Sequence, residues 1–582
     1  MAKRETGIDG LPWLKDYPNQ VNWDAPLHEG TVPQFWHQSV TQFADNEFCD
    51  FLNKRYSYGQ MGALVRKAAK GLQAQGVTKG TRVGLFLPNC PYYPIFYYAI
   101  LSIGGTVVNF NPTYPDNIVR QLVDLAEVEV MVTLDLQAIF SLVAPCVGTT
   151  TVKTLVVCPF ADVLPWPNNW LFPLVADKRG LTVAQPEYSN AVLRYRDFIN
   201  NLGDPSPVAI EPDDIAALQF TGGTTGLPKA ATLTHNNLYV NIQQAGNWFS
   251  QLGDGADSVL AVIPFFHVFA MTVCLNFVAA RGGRIIMQPR YETDKCLQAF
   301  HHKKPTFFAA VPAIYTAICN HPDVVAGKID FSSLKYSISG GAALPKAIKH
   351  KYEELTGCSL TEGYGLSETS PLACVQPISG DGKERREREA TIGLPVQGTR
   401  VDIVSLDDGE TVLGLGEDNR GEVCISGPQV MKGYWRNPEE TDACFDSQGR
   451  FHTGDIGFMD EEGYTFIVDR KKDMILAANG LNVYPRDVEE IIYGHPAIVE
   501  AAICGVPDEK RGERILASIV LKDGETLDHE GLRAFLNDKI PQYALPEITE
   551  VLDELPKSQI GKILKKDIRA NFVANHNLTQ GG

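Results

Sequence analysis

The sequence predicts an α/β protein with a large N-terminal domain of layered, mostly parallel sheets plus a β-barrel-like unit, followed by a small α+β C-terminal domain. Three observations predict it. Apolar segments with helical spacing are repeatedly followed by short β-branched runs, as in a parallel sheet. The texture then changes to short alternating runs over Arg400 to Ser426, which is the pattern of antiparallel strands with one solvated face. Finally, 582 residues exceed what a single hydrophobic core supports, so several packed units are expected.

The elements follow in order. Met61, Leu64, Val65, Ala68 and Leu72 recur at helical spacing and stop at Gly76, after which Arg82 to Leu87 reads as a buried strand. Tyr92 to Phe110 carries no charge over nearly the ~20 positions a bilayer requires. Pro94, Gly104 and Gly105 interrupt it, and Asn109 and Asn111 close it, so a buried helix over Ile95 to Ile103 and a buried strand over Thr106 to Phe110 are predicted instead. Ile118 to Leu125 then leads to a strand over Val128 to Val132, and Lys295 to His302 leads to a strand over Phe307 to Val311. An antiparallel β unit is expected at about 395–468, with a boundary at the charged run Val468 to Asp473. The N-terminal domain is therefore 1–469 and the C-terminal domain 470–582. In the latter, Val488, Ile491 and Ile492 mark a helix, Ile498 to Val506 and Ile515 to Leu521 strands, and Leu532 to Leu536 another helix.

Composition excludes several functions. A content of 44% hydrophobic and 21% charged residues is that of a soluble globular chain. A net charge of -17 opposes a nucleic-acid partner, which needs a concentrated positive surface. The twelve cysteines show no Cys-x-x-Cys and read as reduced, buried residues rather than a zinc site or disulfide scaffold. The first residues, Met1 to Gly7, lack the apolar core of a secretion signal, so a cytoplasmic protein is expected.

Five stretches carry chemistry. Phe220 to Lys229 packs three glycines, three threonines and one lysine into ten positions between two short apolar runs, Ile215 to Phe220 and Ala230 to Leu233. Glycines let backbone N–H groups crowd a polyanion and the lysine adds one mobile charge, so the stretch reads as a phosphate cradle, although the composition alone also fits a surface turn. It is not a Walker A loop, because Lys229 follows Gly226 by three positions and is followed by Ala230. Glu362 to Thr369 sets Tyr364, glycines and Glu368 in a tight loop that suits adenine packing and a metal ion, or a plain turn with a solvated glutamate. Asp455 and Arg470 stand fifteen positions apart across the turn Glu462-Gly463, so a hairpin would pair them, if only as a surface ion pair. Leu555 to Lys566 is a basic run in an acidic chain, and such runs are ordinarily solvated. Pro264 to Phe269 holds a lone histidine, His267, among aromatics.

The run Phe220 to Lys229 resembles, residue for residue, the signature loop of the acyl-adenylate-forming enzymes, which include acyl-CoA synthetases, luciferases and peptide-synthetase adenylation domains. The likeness extends from about residue 30 to 570, and Gly449 to Lys472 resembles the signature of bacterial long-chain fatty acid–CoA ligases. It implies an ATP site made by Thr221, Gly222, Gly223, Thr224, Thr225, Gly226 and Lys229, with Gly340, Gly341 and Ala342 between adenine and acyl chain. It implies Tyr364 and Gly365 against adenine, Ser367 where threonine is more usual, Asp455 and Arg470 on the ribose, and Thr221 with Glu368 on Mg2+. Lys562 would reach the acyl carboxylate and the α-phosphate, whereas Lys557, Lys565 and Lys566 are read as solvated; His267 would orient the carboxylate. Lys472 matches the hinge about which a mobile C-terminal lid rotates, and Gly480 would line the coenzyme A channel.

The expected activity is therefore ATP-dependent activation of a long-chain fatty acid to its coenzyme A thioester through acyl-AMP. A medium-chain or aryl acid ligase, an acyl-AMP ligase and an inactive acyl or nucleotide sensor are the alternatives. Trp166, Trp170, Leu171 and Phe172 cluster between Pro159 and Pro173, either as a packed loop or as a peripheral contact with the inner membrane surface. A homodimer is left open.

Overall fold

The structure, a computed structural model, describes residues 10–176, 181–221, 228–378, 390–476, 482–508, 512–557 and 563–576. Two large sheets form its body. A seven-stranded sheet runs in the order Val192–Arg194, Thr154–Cys158, Val130–Leu134, Arg82–Phe86, Thr106–Asn109, Ile215–Thr221 and Lys229–Thr234. All its pairings are parallel except the last, which turns back on Ile215–Thr221. A nine-stranded sheet has six parallel strands at its centre, Leu360–Gly365, Tyr336–Ser339, Phe307–Ala310, Ser258–Ala261, Arg284–Met287 and Glu47–Phe51, with antiparallel strands at both edges.

Sequence patterns place these elements well. The first predicted helix is Tyr58–Ala74, started by Ser57, whose hydroxyl accepts from the Gln60 N–H while the Gln60 side chain returns the bond. Such a capping box contributes about 1 kcal/mol. The helix stops before Gly76, which takes φ +82. The uncharged stretch forms the helix Tyr92–Ser102 and the strand Thr106–Asn109, with residues 92 to 101 all buried. Burial on every side explains why this helix shows no polar face. Among the described residues no helix is long and apolar enough to cross a membrane. The cysteines are free and eleven of the twelve are buried.

A four-stranded antiparallel sheet follows, Arg400–Val404, Gly421–Ser426, Phe451–Met459 and Thr465–Arg470, adjacent in chain order. Beyond it a separate apolar cluster includes Val488, Ile492, Ile503, Ala517, Leu532 and Leu536. These residues come from the helices Pro485–Ile492 and His529–Leu536 and the three-stranded sheet Ile498–Asp508, Gly512–Leu521 and Ile548–Val551.

In the segment Pro159 to Pro173, Phe172 turns inward against Phe160, ring centroids 5.2 Å apart. Trp166, Trp170 and Leu171 are instead 84%, 70% and 37% exposed, as is Leu174 just beyond the segment at 68%, so the cluster is divided between core and solvent.

Candidate active site

The strands Ile215–Thr221 and Lys229–Thr234 form one hairpin in which Thr221 faces Lys229 across the register. Gly222, Gly223, Thr224, Thr225 and Gly226 lie outside the described residues. Lys229 forms an ion pair with Glu440 and sits over the Tyr434 ring, 5.0 Å from its centroid. Glu440 is in the first turn of the helix Pro438–Cys444, whose N-cap Asn437 accepts from the Glu440 N–H.

The strand Leu360–Gly365, parallel to Tyr336–Ser339, delivers Tyr364 and ends in a 3-10 turn, Ser367–Thr369, which carries Glu368. Only glycine fits at Gly365, because a Cβ there would lie 1.7 Å from the Pro371 carbonyl oxygen. Glu368 is buried and accepts from the Tyr434 hydroxyl at 2.8 Å. Burial pushes its carboxyl above the usual range, against the pull of the Tyr434 hydroxyl, Arg470 and Lys229. Gly340, Gly341 and Ala342 follow the end of Tyr336–Ser339, and Gly340 lies against the Phe269 ring.

His267 lies beyond the end of Ser258–Ala261, where its Nδ1 accepts from the Phe269 N–H at 3.3 Å. A buried polar network holds this loop. The Tyr93 hydroxyl lies 2.8 Å from the Phe265 carbonyl oxygen and 2.7 Å from Asn109 Oδ1, sharing its one proton between them, Asn109 donates to Gln219 at 3.1 Å, and Gln219 donates to the Phe266 carbonyl at 2.6 Å. The following turn, Ala270–Asn276, is a π-helix, a form common beside functional sites. His267, Gly340 and Glu368 thus all follow the carboxyl ends of strands in one sheet, and Lys229 enters from the other sheet. Clefts of open α/β sheets are ordinarily found at such ends.

The hairpin predicted from the Glu462-Gly463 turn forms, with Asp455 paired to Arg470 in register. Arg470 Nε lies 2.7 Å from Asp455 Oδ1, and the Tyr364 hydroxyl donates to Asp455 Oδ2. This is no surface ion pair, since the Asp455 side chain is only 4% exposed. Burial opposes the charge on Arg470, and Asp455 together with Tyr364, Glu368 and Asp473 more than compensates. Lys472, two residues on, has its ammonium pushed below the usual range by burial.

Gly480 and Lys562 lie outside the described residues. The reading of Lys565 as solvated is corrected: its Nζ lies 2.8 Å from Glu489 Oε1, with the side chains 19% and 14% exposed. Lys557 likewise pairs with Glu500. The partners stand more than 50 positions away in sequence, beyond the reach of local pattern.

Lys229, Tyr364, Glu368, Asp455, Arg470 and Lys472 thus share one neighbourhood, in which Glu368 feels both Lys229 and Arg470. Sequence reasoning missed Tyr434 and Glu440; Asn437-Pro438-Glu439-Glu440 carried a helix-start signal but none of proximity to Lys229. The Glu368 carboxylate and Thr221 hydroxyl are hard oxygen donors. They fit Mg2+, which takes few protein ligands and the rest from phosphate and water. Among the described residues there is no group of three or more His, Cys, Asp or Glu side chains that could hold a metal ion.

Comparisons with known proteins show what the chain is similar to. Residues 36–435 match the family model of AMP-binding enzymes, and residues 487–562 that of the AMP-binding enzyme C-terminal domain. The chain is 38% identical to a long-chain-fatty-acid–CoA ligase of Bacillus subtilis (strain 168), covering 97% of this chain and 99% of that protein. It is 34% identical to a protein of the same name from Escherichia coli O157:H7, covering 96% and 97%. The fold matches the crystal structure of ATP-bound MatB from Rhodopseudomonas palustris at a TM-score of 0.79, with 24% identity over 93% of this chain and 99% of that one.

Proposed function

The chain belongs to the AMP-binding enzyme family, and from that premise we propose that it activates a long-chain fatty acid to its coenzyme A thioester, consuming ATP through an acyl-AMP intermediate. The near full-length likeness to two long-chain-fatty-acid–CoA ligases carries the reading. In the first half-reaction a carboxylate oxygen attacks the α-phosphorus and the bond to pyrophosphate breaks. In the second the coenzyme A sulfur attacks the acyl carbonyl carbon, the bond to AMP breaks and the thiol proton leaves.

The first step brings anions together, so positive charge fixed in advance supplies most of the help. Lys229 meets the outer phosphates. Tyr364 packs against adenine, and the Asp455–Arg470 pair receives the ribose hydroxyls, held ready by the bond from Tyr364. Gly222 to Gly226 would cradle the phosphates, Gly340 to Ala342 separate adenine from the acyl chain, and His267 orients the carboxylate from a loop fixed by Gln219 and Tyr93. Lys562 neutralises charge where the carboxylate meets the α-phosphate. When bound at Thr221 and Glu368, Mg2+ supplies Lewis-acid polarisation of the phosphates.

We take the chain to divide at 469/470 into a nucleotide- and acyl-binding domain and a lid, with Lys472 at the hinge. After rotation Gly480 would line the coenzyme A channel. The exposed Trp166, Trp170 and Leu174 support a peripheral membrane contact, where the acid dissolves. The test is thioester formation from Mg-ATP and coenzyme A with acids from benzoate to oleate. A maximum at long chains is expected; a maximum at aryl or short acids would overturn the substrate.

A further inference from the structure

Tyr434 touches both Glu368 and Lys229: its hydroxyl donates to Glu368 Oε1 at 2.8 Å, and its ring lies 5.0 Å from the Lys229 ammonium. Its place is fixed from both sides. The segment 432–435 runs beside the strand Lys229–Thr234 and bonds to it, with Lys432 N–H to the Thr232 carbonyl at 3.0 Å, Thr232 N–H to the Gly433 carbonyl at 2.9 Å and Trp435 N–H to the Ala230 carbonyl at 2.8 Å. The Tyr434 N–H itself donates to the Thr441 hydroxyl at 2.9 Å, which in turn donates to the Asn437 carbonyl at 2.8 Å. On the other side the Met431 N–H donates to the Glu368 carbonyl at 2.7 Å, so the chain just before Tyr434 is also pinned to the turn that carries Glu368.

The geometry points to Tyr434 as a positioning residue that sets the buried Glu368 carboxylate and the Lys229 ammonium relative to each other, so that metal and outer phosphates meet a preformed pair. The inference rests on the reading of Glu368 and Lys229 as the metal and phosphate residues. The hydroxyl occupies one oxygen of Glu368 and fixes its rotamer. The ring presents its negative face to Lys229, an attraction of a few-fold in an equilibrium. Glu440 holds the same ammonium from outside; with its side chain 46% exposed it contributes little on its own.

The two roles separate by substitution. Tyr434→Phe removes the hydroxyl and keeps the ring, whereas Tyr434→Leu removes both. Calorimetric titration of the full chain with ATP, at a series of Mg2+ concentrations and without fatty acid, reads binding rather than turnover. For Tyr434→Phe the Mg2+ needed for half-maximal ATP affinity rises about tenfold, the size of one hydrogen bond to a charged group, while affinity without Mg2+ stays as in the native chain. Tyr434→Leu in addition weakens Mg2+-free ATP binding a few-fold. The KM for fatty acid moves in neither variant, which a general loss of structure would not spare. Glu368→Gln is the reference. If it raises the Mg2+ requirement and Tyr434→Phe does not, the positioning role is overturned. If neither moves it, the assignment of Glu368 fails and takes this inference with it. Should Tyr434→Leu fail to fold, the phenylalanine variant alone decides.

Discussion

Replacing Asp455 by alanine strikes the most connected part of the site, and its cost can be worked from the contacts. The carboxylate is 4% exposed and serves two donors, Arg470 Nε at 2.7 Å and the Tyr364 hydroxyl. Removing one partner of a buried ion pair costs about 3–5 kcal/mol, chiefly because the other charge stays behind unpaired. Here the Arg470 side chain is 33% exposed and keeps a bond from Nη1 to the Thr453 carbonyl at 3.3 Å, so part of the penalty is relieved by water. About 2–3 kcal/mol is the resulting expectation. The Tyr364 hydroxyl adds about 1 kcal/mol, less than additively since it shares the same partner. Tyr364→Phe, which leaves the ion pair intact, costs only that smaller amount. A double-mutant cycle of Asp455→Ala with Arg470→Met, followed by chemical denaturation and by ATP titration, is the assay. Coupling of about 2 kcal/mol in stability is expected, because the second substitution removes the stranded charge. The ATP dissociation constant rises at least about tenfold for Asp455→Ala, the weight of charge-assisted bonds to the ribose. Additive effects within about 0.5 kcal/mol would refute the claim that the pair is one energetic unit, and unchanged ATP affinity would remove it from the nucleotide site.

Two further outcomes follow from the same physics. Burial pushes the Glu362 carboxyl from 4.5 up to about 7, with Arg486 and Lys349 acting the other way. Its neutral form is favoured in the fold, so its contribution is complete below pH 4.5 and is lost as pH climbs through about 7, a span worth about 3 kcal/mol at most. Glu362→Gln therefore flattens the fall in melting temperature over that window and leaves the variant more stable than the native chain at pH 8; parallel curves would contradict the burial argument. Alanine at both Trp166 and Trp170, which are largely exposed, leaves the melting temperature unchanged and lowers flotation with anionic liposomes; unchanged flotation would discard the membrane contact.

What the sequence made legible was local. Lys229 is legible at the end of a glycine loop between two apolar runs, and Asp455 meets Arg470 because fifteen residues around Glu462-Gly463 leave the two ends in register. Gly365 reads in the sequence as part of a tight loop, and the Pro371 carbonyl occupies the space of its missing side chain. What stayed hidden depends on contacts distant in sequence. Tyr434 reaches Glu368 from 66 positions away, and Lys565 is drawn out of solvent by Glu489 on another helix. The π-helix Ala270–Asn276 has no periodicity distinct from that of a buried α-helix.

Exchange of labelled pyrophosphate into ATP tests the central claim most directly, because it isolates adenylate formation from thioester formation. Exchange that requires oleate and Mg2+ but proceeds without coenzyme A is predicted, with AMP appearing only when the thiol is added. Exchange that needs coenzyme A, or turnover that yields ADP and phosphate, would contradict the acyl-AMP mechanism.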